Sequence, residues 1–528
     1  MLNLSPEEIL SLSDFKSTKT GSLLEMFGYT LDLSFDEKSV ELIIKAFLMY
    51  QEIQSRKPSD LERVYLDYFA SNYWSYLLHL FSEGATDNFR EFCTKKQLFL
   101  LRESLLLFEV SKSTDLEVKK RILTNLANTL SNVGRTLEGI EYWNRALKID
   151  PDFGMALGNL GDGLCRYAYA LYDAGQAKVI ASFAQKLLKK AVNDDLEHPM
   201  GEAYFKSIIE RSREIFGNVD ERDRILFEEF EMGNSQEEIE YRRWCLRNVL
   251  FLNPLNDLGE YSVAARDVLG CPSVVSPIKR GPEEMAFFNA IKQEFVSARW
   301  LFYSGINRDE GHFSDRGTFL LNTLDNPVYG LNLQEILLSI RSTFSVLDKI
   351  AFFVNKYFDL EIPDKRVNFS KIWERIEGKK KDGNENSIMA WKNPFLHSLR
   401  WVSKDLEMKG LNPTDPLAAD VCEIRNCSEH RYLKVHVHFF ENDPGYYSSR
   451  EDLFHDSWAF HISLDQLRHI SLKALKLSRA AIIYLNMSIE SNERQKRQGS
   501  SKQISLPVSL PFYWTEDSES NQCDSRHD

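Results

Sequence analysis

The chain has 528 residues and a formal net charge of −13, with 43% hydrophobic and 12% aromatic residues. This length predicts two to four domains, and the aromatic content argues against general disorder. The acidic charge disfavours a protein that coats RNA or DNA broadly, because such coating gains affinity by neutralising phosphates. Any contact with nucleic acid therefore requires a local basic surface.

The sequence gives no sign of a membrane span or of a disulfide framework. No stretch approaches the roughly 20 uncharged apolar residues that a membrane span needs, and residues 1–8 lack the basic and then apolar pattern of a signal peptide. The seven cysteines are scattered, without a CxxC pair that would predict a zinc ribbon. We therefore expect a protein of the reducing cytoplasm, with no membrane partner.

Residues 1–115 have a helical pattern without a recognisable motif. The segment Leu61–Phe81 is apolar and aromatic throughout, which predicts a helix buried against its neighbours. A stack of aromatic rings for a ligand is the alternative, and core packing is the favoured interpretation.

Residues 121–150 predict a pair of helices. Apolar residues recur at helical spacing from Leu123 to Leu130, Gly134 interrupts the pattern, and a second run ends at Pro151. The pattern resembles a tetratricopeptide repeat, whose characteristic positions are here occupied by Ala127, Trp143, Ala146 and Pro151, with Gly139 where alanine is usual. An unrelated helical hairpin is the alternative.

A second, degenerate unit follows at a spacing of 34 residues, beginning with Leu157, Leu160, Gly161 and Leu164. Its partner helix, near residues 177–192, is displaced by an insertion. Because stacked repeats need neighbours, we expect the flanking helices, including those near residues 202–216 and 235–251, to act as irregular repeats or caps.

Residues 270–281 contain two prolines and two glycines without an apolar period, and they predict a domain boundary. We therefore predict a mainly α-helical protein. Its segments are an N-terminal helical region (1–115), tetratricopeptide-like helical repeats (116–269), a linker (270–281), a C-terminal helical bundle (282–494) and a polar, disordered tail (495–528).

The C-terminal bundle has clear helix signals. Apolar periodicity predicts helices after Pro282, over residues 332–358 and over residues 394–408, whereas residues 378–386 predict a solvated loop. Asp415 and Pro416 predict the N-cap and first residue of a helix that ends near His430.

After His430 the periodicity changes from helical to alternating. The alternation predicts two short strands, residues 432–440 and 458–463, in a small β-hairpin. A capping-box spacing at residues 463–466 then begins a last helix to about residue 492.

Three polar residues share one face of the helix that ends near His430. On a helical wheel Leu417, Val421 and Ile424 form a stripe that should face the core. Arg425 and His430 lie about 140° apart on the other side, with Asn426 between them. A solvated helix face, with Glu429 paired to Arg425, is the simplest interpretation.

Residues 425–430 also match the R-x4-H motif of HEPN domains, and the surrounding helices resemble the HEPN bundle over roughly residues 282–492. The repeats before it are similar to those of known repeat-plus-HEPN proteins. A hairpin between the motif helix and the last helix departs from the simplest HEPN bundle.

The resemblance implies a metal-independent endoribonuclease of a toxin–antitoxin, antiviral or stress system, acting as a homodimer without a cofactor. The ribose 2′-hydroxyl attacks the phosphorus and leaves a 2′,3′-cyclic phosphate. His430 would be general base or acid, Arg425 would hold the phosphate, and Asn426 would orient the histidine or the phosphate. The helical repeats would bind a protein or peptide partner.

The last helix offers the basic surface that an RNA substrate requires. Its cations include Arg468, Lys473, Lys476 and Arg479, which are candidate RNA contacts, although a solvated basic helix is the commoner meaning of such a run.

Two other groups of residues are alternative candidate sites. His436, His438 and His461 would converge if their segments are strands, which makes them a weak candidate metal site. Cys427 lies near His430 in sequence, but its wheel position favours a structural thiol over a nucleophile. The main alternative to the nuclease is a non-catalytic interaction protein, in which Arg425 and His430 shape a dimer surface.

Overall fold

The computed structural model describes residues 4–499, except for residues 13, 194–198, 276–280, 309–310, 322, 324, 326, 407–412, 438–455 and 457. Helices dominate this part of the chain, as predicted. Those of the first half are α1 Pro6–Ser11, α2 Thr20–Asp36, α3 Val40–Ser55, α4 Asp60–Leu80, α5 Asp87–Val110, α6 Leu116–Asn132, α7 Thr136–Ile149, α8 Gly154–Ala170, α9 Ala174–Asn193, α10 Pro199–Phe216 and α11 Gln236–Arg247.

The second half contains seven α-helices among its described residues, together with two short strands. These elements are α12 Glu283–Asn307, α13 Leu331–Tyr357, α14 Ile372–Lys381, α15 Glu385–Lys392, α16 Pro394–Lys404, α17 Ala418–His430, β1 Tyr432–His436, β2 Ala459–Ser463 and α18 Leu464–Gly499. No helix within the described residues is long and apolar enough to cross a membrane.

The helical hairpins α6–α7 and α8–α9 are built alike. Each first helix has 17 residues, and each is joined to its partner by three residues (133–135 and 171–173). Leu123 and Leu157, which are 34 residues apart, are both buried. However, α8 and α9 each begin four residues later than a 34-residue repeat of α6 and α7 would place them. The helices fit a helical-repeat arrangement.

One hydrophobic core runs from Val64 in α4 to Ile489 in α18, so the repeats and the C-terminal bundle share a continuous interior. Helix α18 lies at its centre, with Ala480–Leu485 buried without interruption. The Tyr484 hydroxyl donates to the Glu138 carboxylate at 2.5 Å and accepts from the backbone N–H of Leu137 at 3.1 Å. Helix α18 is therefore in contact with the N-terminal end of α7.

A buried ionic network also joins the two halves. Arg102 of α5 donates to both carboxylate oxygens of Asp405 at 2.7 and 3.0 Å, and it lies 3.2 Å from Asp415. Arg135, which precedes α7, lies 2.7 Å from Asp405, and Lys473 of α18 contacts Asp415. Burial raises the pKa of the Asp405 carboxyl, but Arg102 and Arg135 outweigh burial and hold it well below its usual range.

The strands pair in parallel, with Tyr432 opposite Ala459 and His436 opposite Ser463. The predicted antiparallel hairpin is therefore wrong, although both strands exist. A parallel pair requires a long connection, and 22 residues separate β1 from β2. The predicted hairpin assumed a short turn between the strands, which would make them antiparallel.

Three predicted boundaries are also corrected. The loop predicted at residues 378–386 is partly helix, because α14 continues to Lys381 and α15 begins at Glu385. Helix α17 begins at Ala418, since Asp415 instead caps a turn by accepting the N–H of Leu417 at 2.9 Å. Helix α18 extends to Gly499, beyond the predicted start of the tail. Residues 500–528 of that tail lie outside the described residues.

Candidate functional site

Helix α17 positions the three motif residues by burying its opposite side. Val421 and Ile424 are buried in the core, as the sequence pattern predicts. Leu417 precedes the helix and is half-buried. Arg425 and His430 are separated by five residues, hence about 7.5 Å along the helix axis. They lie on the side that the apolar stripe leaves open.

The Arg425 side chain is held by two residues of α13. Its Nη2 lies 3.1 Å from Oδ2 of Asp348, and its guanidinium lies over the Phe344 ring, 5.0 Å from the centroid. About a third of the side chain, 34%, stays exposed. The guanidinium is thus positioned by a carboxylate and an aromatic face, while part of it remains accessible to a phosphate.

His430 is the last residue of α17 and its side chain is 78% exposed. Its Nε2 lies 3.5 Å from the Glu429 carboxylate, so Glu429 faces His430 rather than Arg425. Asn426 is half-buried. The motif face therefore combines a positioned cation, an amide and an exposed imidazole.

Cys427 has the structural position that the wheel predicts. The residue is buried, and burial raises the pKa of its thiol. A nucleophilic cysteine needs a lowered pKa and access to substrate. Cys427 has neither property.

The four cations of α18 that were predicted to contact RNA all form ion pairs within the chain. This corrects the prediction of an exposed basic surface. Arg479 is buried and donates to Asp257 at 2.8 and 2.9 Å. Lys473 contacts Asp415, and Lys476 Nζ lies 2.6 Å from Glu141. Arg468, 3.5 Å from Asp465, keeps 42% of its side chain exposed. The error arose because the carboxylates that pair with Lys473, Lys476 and Arg479 come from distant parts of the chain.

Two of the three histidines in the candidate metal cluster lie next to each other. His436 Nε2 lies 3.1 Å from His461 Nδ1, and Asp325 joins them as a third potential ligand. His438 lies outside the described residues. Burial lowers the pKa of His436, and the neighbouring His461 lowers it further.

Comparison with protein families places the motif face in a known domain. Residues 275–492 match the family model described as LA2681-like HEPN. These residues therefore form a HEPN-type domain. The matched span contains α17 and all three motif residues. No curated protein and no solved structure matches the chain.

A large groove lies between the helical repeats and the HEPN domain. Its cavity volume is about 1330 Å³. The repeats and α10 contribute residues such as Arg166 and Tyr204, and the HEPN domain contributes Trp391, Arg400 and Arg494. A ligand in this groove would contact both parts of the protein.

The sequence pattern did not point to Asp348 and Phe344, the two residues that hold Arg425. The two residues lie one helical turn apart on α13. The signal that could have revealed them is Asp348, a carboxylate in a helix otherwise predicted as core. The sequence pattern also did not point to Asp325 as a neighbour of His436, because the two are 111 residues apart. No local pattern connects them.

Proposed function

We propose that the HEPN domain is a metal-independent endoribonuclease whose chemical groups are Arg425, Asn426 and His430. The observation that carries this proposal is the motif face itself: a held guanidinium and an exposed imidazole on one helix within the matched HEPN span. Neither group requires a cofactor for acid–base chemistry at phosphorus.

The proposed reaction is an internal transesterification of RNA. His430 accepts the proton of the ribose 2′-hydroxyl, whose oxygen forms a bond to the adjacent phosphorus. The bond from phosphorus to the 5′-oxygen breaks, and that oxygen receives a proton from a general acid. Arg425 binds the phosphate oxygens and neutralises their developing charge, and Asn426 orients the imidazole or the phosphate.

A second copy of the chain would complete this site. One motif face supplies one imidazole, and the reaction uses both a base and an acid. We propose that two α17 helices meet in a homodimer, so that two histidines and two arginines line one cleft. Arg468, at the other end of the domain's strand pair, remains a candidate RNA contact, with 42% of its side chain exposed.

We further propose that the helical repeats regulate the nuclease, as a sensor in a toxin–antitoxin, antiviral or stress response. The groove between the repeats and the HEPN domain is the candidate binding place for a protein or peptide partner. The ionic network around Asp405 supports this, because a change in the position of the repeats would reach Asp415, three residues before α17.

The second candidate function is a non-catalytic interaction protein. The Arg425–Asp348 pair favours it, since an arginine already neutralised by a carboxylate is a weaker phosphate ligand than a free one. In this alternative the motif face and the groove bind proteins, and RNA is not cleaved.

Cleavage of labelled RNA by purified protein separates the two functions. We expect the wild type to give 2′,3′-cyclic phosphate and 5′-hydroxyl ends in EDTA, and His430→Ala and Arg425→Ala to lose roughly 10²–10⁴-fold in rate. His312→Ala, a histidine of the same domain outside the motif, is the matched control. If both motif variants form folded dimers that cleave like the wild type, the nuclease proposal is wrong.

A further inference from the structure

Asp325, His436 and His461 meet at the strand pair although they come from three separate segments. His436 ends β1, His461 lies in β2, and Asp325 precedes α13. The parallel register places both histidines on the face opposite the buried Val435 and Ile462. A nitrogen of each imidazole and a carboxylate oxygen lie within 4.8 Å of one another.

Hydrogen bonds to the backbone assign the tautomers of the two histidines. Nδ1 of His436 lies 3.1 Å from the carbonyl oxygen of Asp325, and Nε2 of His461 lies 3.4 Å from that of Asp456. A carbonyl oxygen only accepts, so these contacts favour the tautomers in which the outer nitrogens carry the ring protons.

The inner nitrogens then present two lone pairs to each other. Nε2 of His436 and Nδ1 of His461 are 3.1 Å apart, and the two ring planes differ by 10°. Facing lone pairs repel each other, and a cation that both nitrogens share would relieve this repulsion. That cation is either a proton or a metal ion.

We propose that His436, His461 and the Asp325 carboxylate bind one divalent transition-metal ion of the Zn²⁺ class, with water completing the coordination. Zinc binds histidine nitrogens at about 2.0–2.1 Å, so two nitrogens on one tetrahedral ion are separated by about 3.3–3.4 Å, close to the observed spacing. Binding would tilt the nearly coplanar rings so that both nitrogens point at one ion beside Asp325.

Two surrounding features favour a metal over a shared proton. A backbone carbonyl behind the outer N–H of each imidazole is the arrangement that orients metal-binding histidines. Lys434 Nζ lies 2.8 Å from Asp325 and 3.0 Å from Asp456. Among the described residues, two carboxylates and one ammonium leave one excess negative charge beside the two imidazoles, which attracts a divalent cation.

This site would serve the structure rather than the proposed RNA chemistry. It ties β1, β2 and the segment before α13 together, and β1 follows α17 after one residue. The site shares no residue with the motif face. Metal binding and RNA cleavage can therefore be tested separately.

The test is titration of the chelator-treated, full-length protein with Zn²⁺, measured by calorimetry. We expect one tight site per chain and at least a 100-fold weaker dissociation constant in His436→Gln and His461→Gln, because loss of a ligand costs at least as much as loss of a residue that orients one. His312→Ala is the matched control and should bind like the wild type.

A second measurement needs no variant and so does not depend on the substitutions folding. X-ray absorption of the Zn²⁺-loaded wild type should report two imidazole nitrogens and no sulfur in the coordination shell. A wild type that takes up no Zn²⁺, a shell without imidazole, or folded glutamine variants with unchanged affinity would each overturn the proposal and leave a proton-bridged histidine pair.

Discussion

Arg425 of α17 and Asp348 of α13 form an ion pair of 3.1 Å whose members are both about one-third exposed. The pair connects the motif helix to α13, and Phe344 of α13 supports the same guanidinium one turn away. Asp348 also accepts the backbone N–H of Phe369 at 2.8 Å through its other oxygen. The carboxylate is thus fixed on one side and positions Arg425 on the other.

Asp348→Asn should lower RNA cleavage more than it lowers stability. The amide oxygen can still accept the N–H of Phe369, while the attraction to Arg425 is lost. An exposed ion pair contributes about 0–1 kcal/mol to folding, so the unfolding midpoint should barely change. We expect the cleavage rate to fall by about tenfold, as for loss of a residue that positions a catalytic group.

Asp364→Asn is the matched control, because Asp364 pairs with Lys356 at 2.8 Å in another exposed ion pair. It should leave cleavage unchanged. A faster reaction in Asp348→Asn would mean that Asp348 competes with the phosphate for Arg425, and the positioning role assigned to it would be wrong.

Arg102→Met should destabilise the whole protein, because it removes one partner from the buried network around Asp405. Breaking a buried ion pair by removing one partner costs about 3–5 kcal/mol. Arg135 and Thr414 still reach Asp405, so we expect the lower end of this range. The measurement is the free energy of unfolding in urea, compared with wild type.

The exposed Arg247, 3.9 Å from Glu260, provides the control Arg247→Met, for which the change should stay within about 0.5 kcal/mol. If Arg102→Met is equally mild, the network does not hold the repeats and the HEPN domain together.

The sequence predicted those elements whose causes are local. Helix α17 buries Val421 and Ile424 because they lie on one stripe, and the same wheel places Arg425 and His430 on the open side. Helix hairpins and the two short strands are likewise encoded by periodicity, glycine and proline over a few residues. The R-x4-H spacing is local too, and it led to the HEPN domain.

Features that depend on distant parts of the chain could not be predicted in this way. Arg479 appeared exposed because Asp257, its buried partner, is 222 residues away. The parallel pairing of β1 with β2 and the approach of Asp325 to His436 have the same cause. Each is decided by tertiary packing, which periodicity does not encode.

Cys427→Ala should leave RNA cleavage within about twofold of wild type. The thiol is buried and burial raises its pKa, so little thiolate exists at neutral pH. Loss of the sulfur should cost about 1 kcal/mol of stability. Cleavage assays on the variant check this. A loss as large as that of His430→Ala would instead support a thiol nucleophile.

Asp67 should make stability fall as pH rises. Burial raises the pKa of its carboxyl to about 7, against a lowering by Arg63, and its Oδ2 has no hydrogen-bond partner among the described residues. An unfolded aspartate has a pKa of about 3.9, so between about pH 4 and 7 the folded state binds the extra proton, and stability decreases across that window.

Asp67→Asn removes this charge, and we expect it to raise the free energy of unfolding by roughly 2–4 kcal/mol near pH 8, at 1.4 kcal/mol per pKa unit. The gain should shrink towards pH 5, where the folded aspartate is already protonated. Urea unfolding of both proteins across this pH range measures the difference, with the exposed Asp152→Asn as control. If the free energies of unfolding of wild type and Asp67→Asn vary with pH in parallel, Asp67 is ionised in the folded protein and the prediction is wrong. Only a change in the protonation of Asp67 on folding would give the two proteins different slopes.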